Sequence, residues 1–275
     1  MFRLVLLAAI VAALLVVQAA PAATPHRIIS LSPTATESLF AIGAGKQVVA
    51  VDDQSDYPKK APRTSLSGFT PNVEAIAGYN PDLVVVQYDS GGVVEGLHKL
   101  NIRVLVQPSA KNLAEAYAQI KQLGTITAHK KAASALVTRM KRAISKAVKS
   151  TPRRNVRVYH ELSPDYYSAT SKTFIGGIYK LFGLRNIADA ADSSASGYPQ
   201  LSAEYILSAN PGLIVLADTR CCGQSVASVS GRAGWSNIAA VRTRSVVAID
   251  DSVASRWGPR VVQFVQAVAK VLRKH

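Results

Sequence analysis

Cys221 and Cys222 stand side by side and are the only cysteines in the 275-residue chain. Two cysteines make no disulfide framework. As neighbours they can close a strained vicinal ring, which an oxidising compartment permits, or stay as thiols able to ligate a soft metal. The five histidines (His26, His98, His129, His160 and His275) are scattered without metal-ligand spacing. G-x-S-x-G, H-E-x-x-H and G-x-G-x-x-G are absent. "GAGKQ" (Gly43 to Gln47) has a fragment of a phosphate loop, but no Ser or Thr follows its lysine and it ends a helix instead of opening one. The expectation is a protein that is no enzyme, with no resident metal or cofactor. An exported metal or redox protein using Cys221, Cys222 and His160 is the competing reading.

A second pattern points to binding. "PNVEAIAGYNPDLVVV" (71–86) and "QLSAEYILSANPGLIVL" (200–216) share Glu74 with Glu204, Ile76 with Ile206, Asn80 with Asn210, Pro81 with Pro211 and Leu83 with Leu213, at a constant offset of 130 residues. Each glutamate falls in the first turn of a helix, where a negative charge meets the helix dipole. That accounts for either glutamate alone and less well for both at equivalent places.

The elements that carry these residues alternate strand with helix. "RIISL" reads as a strand, and Thr34 with Glu37 as a capping box opening "TESLFAIGAG". "QVVAVD", "DLVVVQ" and "RVLVQ" read as further strands. Asn72 caps "VEAIAGY", and Asn112 with Glu115 opens "LAEAYAQIKQLGTIT". From His129 to Ser150, Ala133, Leu136, Val137, Met140, Ile144 and Val148 form one apolar stripe opposite a Lys/Arg face, predicting a single long helix. "VRVYHEL", "SKTFIGGIYKLFGLRNI", "LIVLAD", "SVVAID" and "PRVVQFVQAVAKVLRKH" repeat the plan. The fold class is α/β: two Rossmann-like lobes, residues 24–126 and 153–275, joined by one long α-helix within 127–152. Ligand belongs in the cleft, beyond the carboxyl ends of the strands.

Residues 1–23 read as a secretory signal. Arg3 is followed by an apolar run from Leu4 to Val17, and Ala20-Pro21-Ala22 forms a cleavage site with no cysteine near it for lipid attachment. The expected location is outside the cytoplasm, in a periplasm or at the cell surface. Net charge is +15, and residues 116–160 hold eleven Lys and Arg with no Asp or Glu. Export, and the lack of aromatic rings between Ala118 and Val158, argue against a nucleic-acid partner and for a solvated basic face.

"RIISLSPTATESLFAIGAGKQVVAVDDQSDYP", "LSGFTPNVEAIAGYNPDLVVV" and "SRWGPRVV" resemble the extracytoplasmic substrate-binding proteins of ABC importers for vitamin B12 and iron complexes. The opening and closing motifs are most similar to the cobalamin binders. The resemblance covers nearly all of the chain beyond the leader. It implies a class III periplasmic-binding-protein architecture, no catalysis, a monomer, and delivery of a corrinoid to a permease dimer. Ferric siderophore or haem is the alternative cargo, with Tyr57 and Tyr88 as candidate iron ligands. It further implies that Glu74 and Glu204 dock on permease arginines. In the pocket, family aromatic positions fall on Gln54, on Gly68 beside Phe69, and on Gln87 beside Tyr88. Pro33 and Thr34 open the first-lobe wall. The late contact loop falls on Ser252 to Arg256 with Trp257 following, and Tyr166 and Tyr167 would face the cleft from the second lobe. Arg256 would suit a phosphate, a propionamide or an anionic siderophore.

Overall fold

The computed structural model describes residues 23–152 and 155–274; the leader, apart from Ala23, lies outside them. In the first lobe the order is β1 (Ile28–Leu31), α1 (Pro33–Ala41), β2 (Val48–Val51), α2 (Val73–Ala77), β3 (Leu83–Val86), α3 (Val93–Lys99), β4 (Arg103–Val106) and α4 (Leu113–Ile126). The connecting helix α5 spans Lys130–Lys149. The second lobe follows with β5 (Arg157–Glu161), α6 (Phe174–Leu181), β6 (Arg185–Asn186), α7 (Ala203–Ala209), β7 (Leu213–Leu216), α8 (Val226–Ser230), α9 (Ala239–Arg242), β8 (Val246–Ala248), α10 (Asp251–Ser255) and α11 (Val261–Leu272). Each lobe is built on a four-stranded parallel sheet, ordered β2-β1-β3-β4 and β6-β5-β7-β8.

The central strands are buried on both faces, which is why they read as unbroken apolar runs. Alternation along them sorts side chains between two packing layers. Ile28, Leu83, Val85, Val158, Leu213 and Val215 face one core shared with α4, α5 and α11. Ile29, Val84 and Val86 face a separate cluster in the first lobe, and Tyr159, Ile214 and Leu216 face another in the second. Ala133, Leu136, Val137, Met140 and Ile144 of α5 lie in the shared core. The connecting helix therefore belongs to the interior of both lobes.

Local chemistry differs from expectation at α1. Its N-cap is Ser32, whose hydroxyl accepts from the Ala35 N–H at 3.4 Å, with Pro33 in the first turn. Thr34 and Glu37 make no capping box. The Glu37 side chain is buried and spans the gap between the lobes. It accepts from Arg260 Nε at 3.0 Å, Arg260 Nη2 at 2.6 Å and Arg256 Nη1 at 3.2 Å. Arg256 Nη1 also reaches Asp56 at 3.0 Å, and Arg220 reaches the other Asp56 oxygen at 2.6 Å. Trp257 donates its indole N–H to Gln119 of α4 at 2.8 Å. The "SRWGPR" stretch thus clasps the second lobe to the first. At α4, the Asn112 amide oxygen takes the Glu115 N–H, but the Glu115 carboxylate reaches back to Lys111 N instead of the cap residue's own N–H.

His160 is a core histidine, fully buried, with Nδ1 at 2.6 Å from the Tyr179 hydroxyl and the ring packed against Phe264. Burial lowers its pKa to about 3. The folded chain keeps it neutral while the unfolded chain takes a proton below about pH 6.5. Its contribution is intact above that pH and is lost as pH falls toward 3. In urea unfolding at a series of pH values from 7.5 to 4.5, His160→Phe should show a shallower loss of stability than the parent. Breaking the clasp should cost more: Glu37→Ala leaves two guanidinium groups short of a partner and should destabilise by about 3–5 kcal/mol in the same assay at pH 7.5.

Candidate functional site

The carboxyl ends of β1, β2 and β3 open onto a cavity of about 280 Å³. This is the switch point of the first sheet, where β1 and β3 lead their chains to opposite sides and leave a crevice. Leu31, Pro33 and Thr34 come from the end of β1, Asp52 and Gln54 from the end of β2, and Gln87 and Tyr88 from the end of β3. Gly68 and Phe69 come from the loop before α2, and Ser255, Arg256 and Trp257 from the second lobe. Gly68 is needed here, because a β-carbon on it would lie 2.7 Å from the Leu31 carbonyl oxygen. Phe69 is 66 % exposed and Tyr88 40 %, so both present apolar ring surface without a protein partner covering it.

Two further spaces join this cavity through shared walls. One, of about 440 Å³, meets it at Ser255 and Trp257 and is lined by Ser109, Lys111, Lys172, Phe174 and Tyr198 among others. The other, of about 430 Å³, meets it at Gln54 and Arg256 and is walled by Asp53, Asp56, Arg63, Arg220, Cys221, Asp251 and Ser252. The cleft is a trough with aromatic residues at its centre, lysines at one end and a mixed ionic wall at the other.

Nine of the twelve sequence-derived pocket residues line the central cavity: Pro33, Thr34, Gln54, Gly68, Phe69, Gln87, Tyr88, Arg256 and Trp257. Ser252 sits in the ionic end. Tyr166 is a correction. Its backbone is left-handed (φ 66°) and its ring stacks on Trp235 with Arg232 over it, so it packs the second-lobe core. Tyr167 is exposed and lines none of these three spaces; its backbone bridges to Gln200. The second-lobe aromatics on the trough are Trp257, Phe174 and Tyr198. Arg256 is the other correction. Its guanidinium is already held by Glu37, Asp56 and the Gln54 carbonyl oxygen at 2.9 Å, so it is no spare cation for a ligand anion. Tyr57 lies beneath Arg260, 4.3 Å from guanidinium carbon to ring centroid, and does not line the central cavity.

Glu74 and Glu204 hold matching places. Each is exposed, in the first turn of the helix preceding its lobe's second central strand, behind an N-cap residue (Asn72, Ser202) that accepts from the third N–H of its helix. Asn210 caps the end of α7 with a left-handed φ of 43°, and Asn80, two residues past the α2 cap Gly78, has a φ of 49°. A hydrogen bond to the backbone holds the Glu204 carboxyl below its usual range, with the Ser202 side chain adding to it. Cys221 and Cys222 are joined in a vicinal disulfide, exposed at the ionic end. The Asp251 carboxylate fixes that loop by accepting from the N–H groups of Arg220 and Cys221.

Three features escaped sequence reading. Glu37 reads as a helix-start residue from the sequence, and nothing local links it to Arg256 and Arg260, more than two hundred positions on. Asp52 was passed over beside Gln54. The third is the buried set under the second lobe's strand ends, where Glu161 takes Arg232 in a bidentate pair at 2.6 and 2.7 Å next to Asp218. Burial first, and then the Glu161 charge, pushes Asp218 up.

The periplasmic binding protein family model matches residues 28–253. An ABC transporter substrate-binding lipoprotein of Bacillus subtilis, itself uncharacterised, is 29 % identical over 257 residues, covering 90 % of this chain and 79 % of that one. The cobalamin-binding protein of Halobacterium salinarum is 32 % identical over 255 residues, 89 % of this chain and 69 % of its own. Among solved structures, the periplasmic vitamin B12 binding protein of Vibrio cholerae superposes with a TM-score of 0.75 at 27 % identity, over 91 % of this chain and 98 % of that one. Sequence, two-lobed sheet order and connecting helix agree, and the chain belongs to the periplasmic binding protein family, as a substrate-binding protein of the ABC-importer type.

Proposed function

We propose that the protein captures a corrinoid in the trough between its lobes, outside the cytoplasm, and hands it to an ABC importer permease. The observation that carries the cargo is the state of Arg256. With its guanidinium spent on Glu37, Asp56 and Gln54, the central cavity offers exposed aromatic faces and oxygen acceptors, but no unpaired cation among its lining residues. A flat macrocycle rimmed by neutral amides fits such a site. A haem or an anionic ferric siderophore would bring carboxylates or other anions against a cavity wall whose one charge without an ion pair is an acid, Asp52. The remaining unpaired positive charge lies at the two ends of the trough, Lys111 and Lys172 at one and Arg63 at the other, where it suits the single phosphodiester of a cobalamin nucleotide loop. The cobalamin-binding relative at 32 % identity supports the same cargo. Neither lobe offers a helix long and apolar enough to cross a membrane among the described residues, so transport needs a membrane partner. Glu74 and Glu204 are the residues proposed to meet it, acting in orientation and partner choice more than in affinity.

Titration of the protein without its leader, followed by tryptophan fluorescence, tests the cargo. Cyanocobalamin should bind at micromolar or lower concentration, more tightly than dicyanocobinamide, which lacks the phosphodiester. Binding of haemin or a ferric siderophore with failure of both corrinoids would sink the assignment. In cells that depend on the importer, Glu74→Lys together with Glu204→Lys should abolish corrinoid uptake while leaving the fluorescence titration unchanged.

A further inference from the structure

Asp52 is the one side chain of the central cavity with an unsatisfied, sealed polar atom. The residue is 2 % exposed, and its Oδ1 has no hydrogen-bond partner. Buried polar atoms without a partner are uncommon, and a buried carboxylate oxygen is among the costlier ones. The neighbouring groups relieve it only in part. Arg256, the only cation in the cavity wall, gives its hydrogen bonds to Glu37, Asp56 and the Gln54 carbonyl. Asp53, next in the chain, is another acid. Burial is the largest cause that pushes the Asp52 carboxyl up, to about 6, and the Asp53 charge adds to it, while Ser55 and Arg256 oppose it.

The loop does not need this side chain for its shape. The Asp52 N–H donates to the Ser30 carbonyl at 3.1 Å, and the Asp52 carbonyl accepts from Ser55 N at 3.2 Å. Those backbone bonds would survive its replacement. Space has been kept for the carboxyl as well: a β-carbon on Gly68 would lie 3.0 Å from Asp52 Oδ2. The carboxyl is therefore fixed in place, under-paired on the protein side, and part of the cavity wall.

We propose that Asp52 is a specificity-determining ligand contact: Oδ1 is sealed away, and Oδ2, the oxygen beside the cavity residue Gly68, accepts a hydrogen bond from a donor on the bound ligand and disfavours ligands that place a carboxylate there. On the corrinoid reading above, the donor is a side-chain amide N–H. The family resemblance assigned contacts to Gln54, Gly68 and Gln87, and none to Asp52.

The test uses the leaderless protein with cyanocobalamin, a cyanocobalamin derivative with one side-chain amide hydrolysed to the acid, dicyanocobinamide and haemin. Each is titrated against the parent, Asp52→Ala and the near-isosteric Asp52→Asn, with thermal melting to confirm folding. Asp52→Ala should weaken cyanocobalamin roughly 10- to 100-fold, the range of a lost hydrogen bond to a charged group. Asp52→Asn, which removes the charge and adds a donor, should narrow the gap between cyanocobalamin and the carboxylate-bearing ligands. Both folded variants binding every compound within twofold of the parent would overturn the proposal while leaving the corrinoid assignment standing. If the parent binds haemin and no corrinoid, the cargo assignment has failed. Asp52 is then judged on haemin, whose affinity should rise in both variants; an unchanged affinity overturns it. Binding of none of the four overturns both.

Discussion

The Glu37 carboxylate is the interaction on which the arrangement of the lobes rests. It is buried, it is reached by two arginines from the other lobe, and one of them, Arg260, approaches it in the two-pronged geometry that makes guanidinium–carboxylate pairs strong and directional. Burying charge is costly unless every lone pair and proton finds a partner. Here the cost is offset by extension into a network: Arg256 continues to Asp56, Asp56 to Arg220, and Arg220 to Asp250. The network runs along one wall of the trough. The same groups that hold the lobes together therefore fix the electrostatics that a ligand meets.

That double duty separates this trough from a generic basic pocket. The chain is strongly cationic, yet the charge is carried elsewhere. On α5 and the segments beside it, Lys130, Lys131, Arg139, Lys141, Arg142, Lys146 and Lys149 lie outside the apolar stripe that enters the shared core. In the cleft centre the one arginine is neutralised by acids of the opposite lobe. Net charge thus says little about the cargo, and the local pairing says more.

Much of the fold was legible because its signals are local and periodic. The β-branched runs of β3 and β7, the 3.6-residue stripe of α5 and the caps at Asn72 and Asn112 each name their own element. The sheet pattern put the ligand at the strand ends, and the family resemblance then singled out Gln54 and Gln87 there. The failures share a cause. Glu37 sits where a capping residue would sit, and only tertiary contact with residues more than two hundred positions away reveals another use. Tyr166 follows a strand as a cleft residue would, but a left-handed backbone turns its ring onto Trp235. Short helices α3, α8, α9 and α10 were missed because they span too few turns to show a period.

The two lobes share an architecture but have diverged where it matters for binding. The 130-residue offset that aligns Leu83 with Leu213 also aligns Tyr88 with Asp218. In the first lobe that position puts a half-exposed ring into the cavity. In the second it holds a fully buried acid beside Glu161, with Arg232 clamped on Glu161 and stacked between Tyr166 and Trp235. The second lobe closes the ends of β5 and β7 with its own ionic and aromatic plug. The first leaves the ends of β1, β2 and β3 open. The first lobe therefore supplies most of the lining of the central cavity, with Ser255, Arg256 and Trp257 of the second lobe completing it. The repeat was kept at Glu74 and Glu204, on exposed helix starts, and lost at the strand ends. Likeness between the lobes survives on exposed helix starts, while the strand-end walls of the trough differ from one lobe to the other.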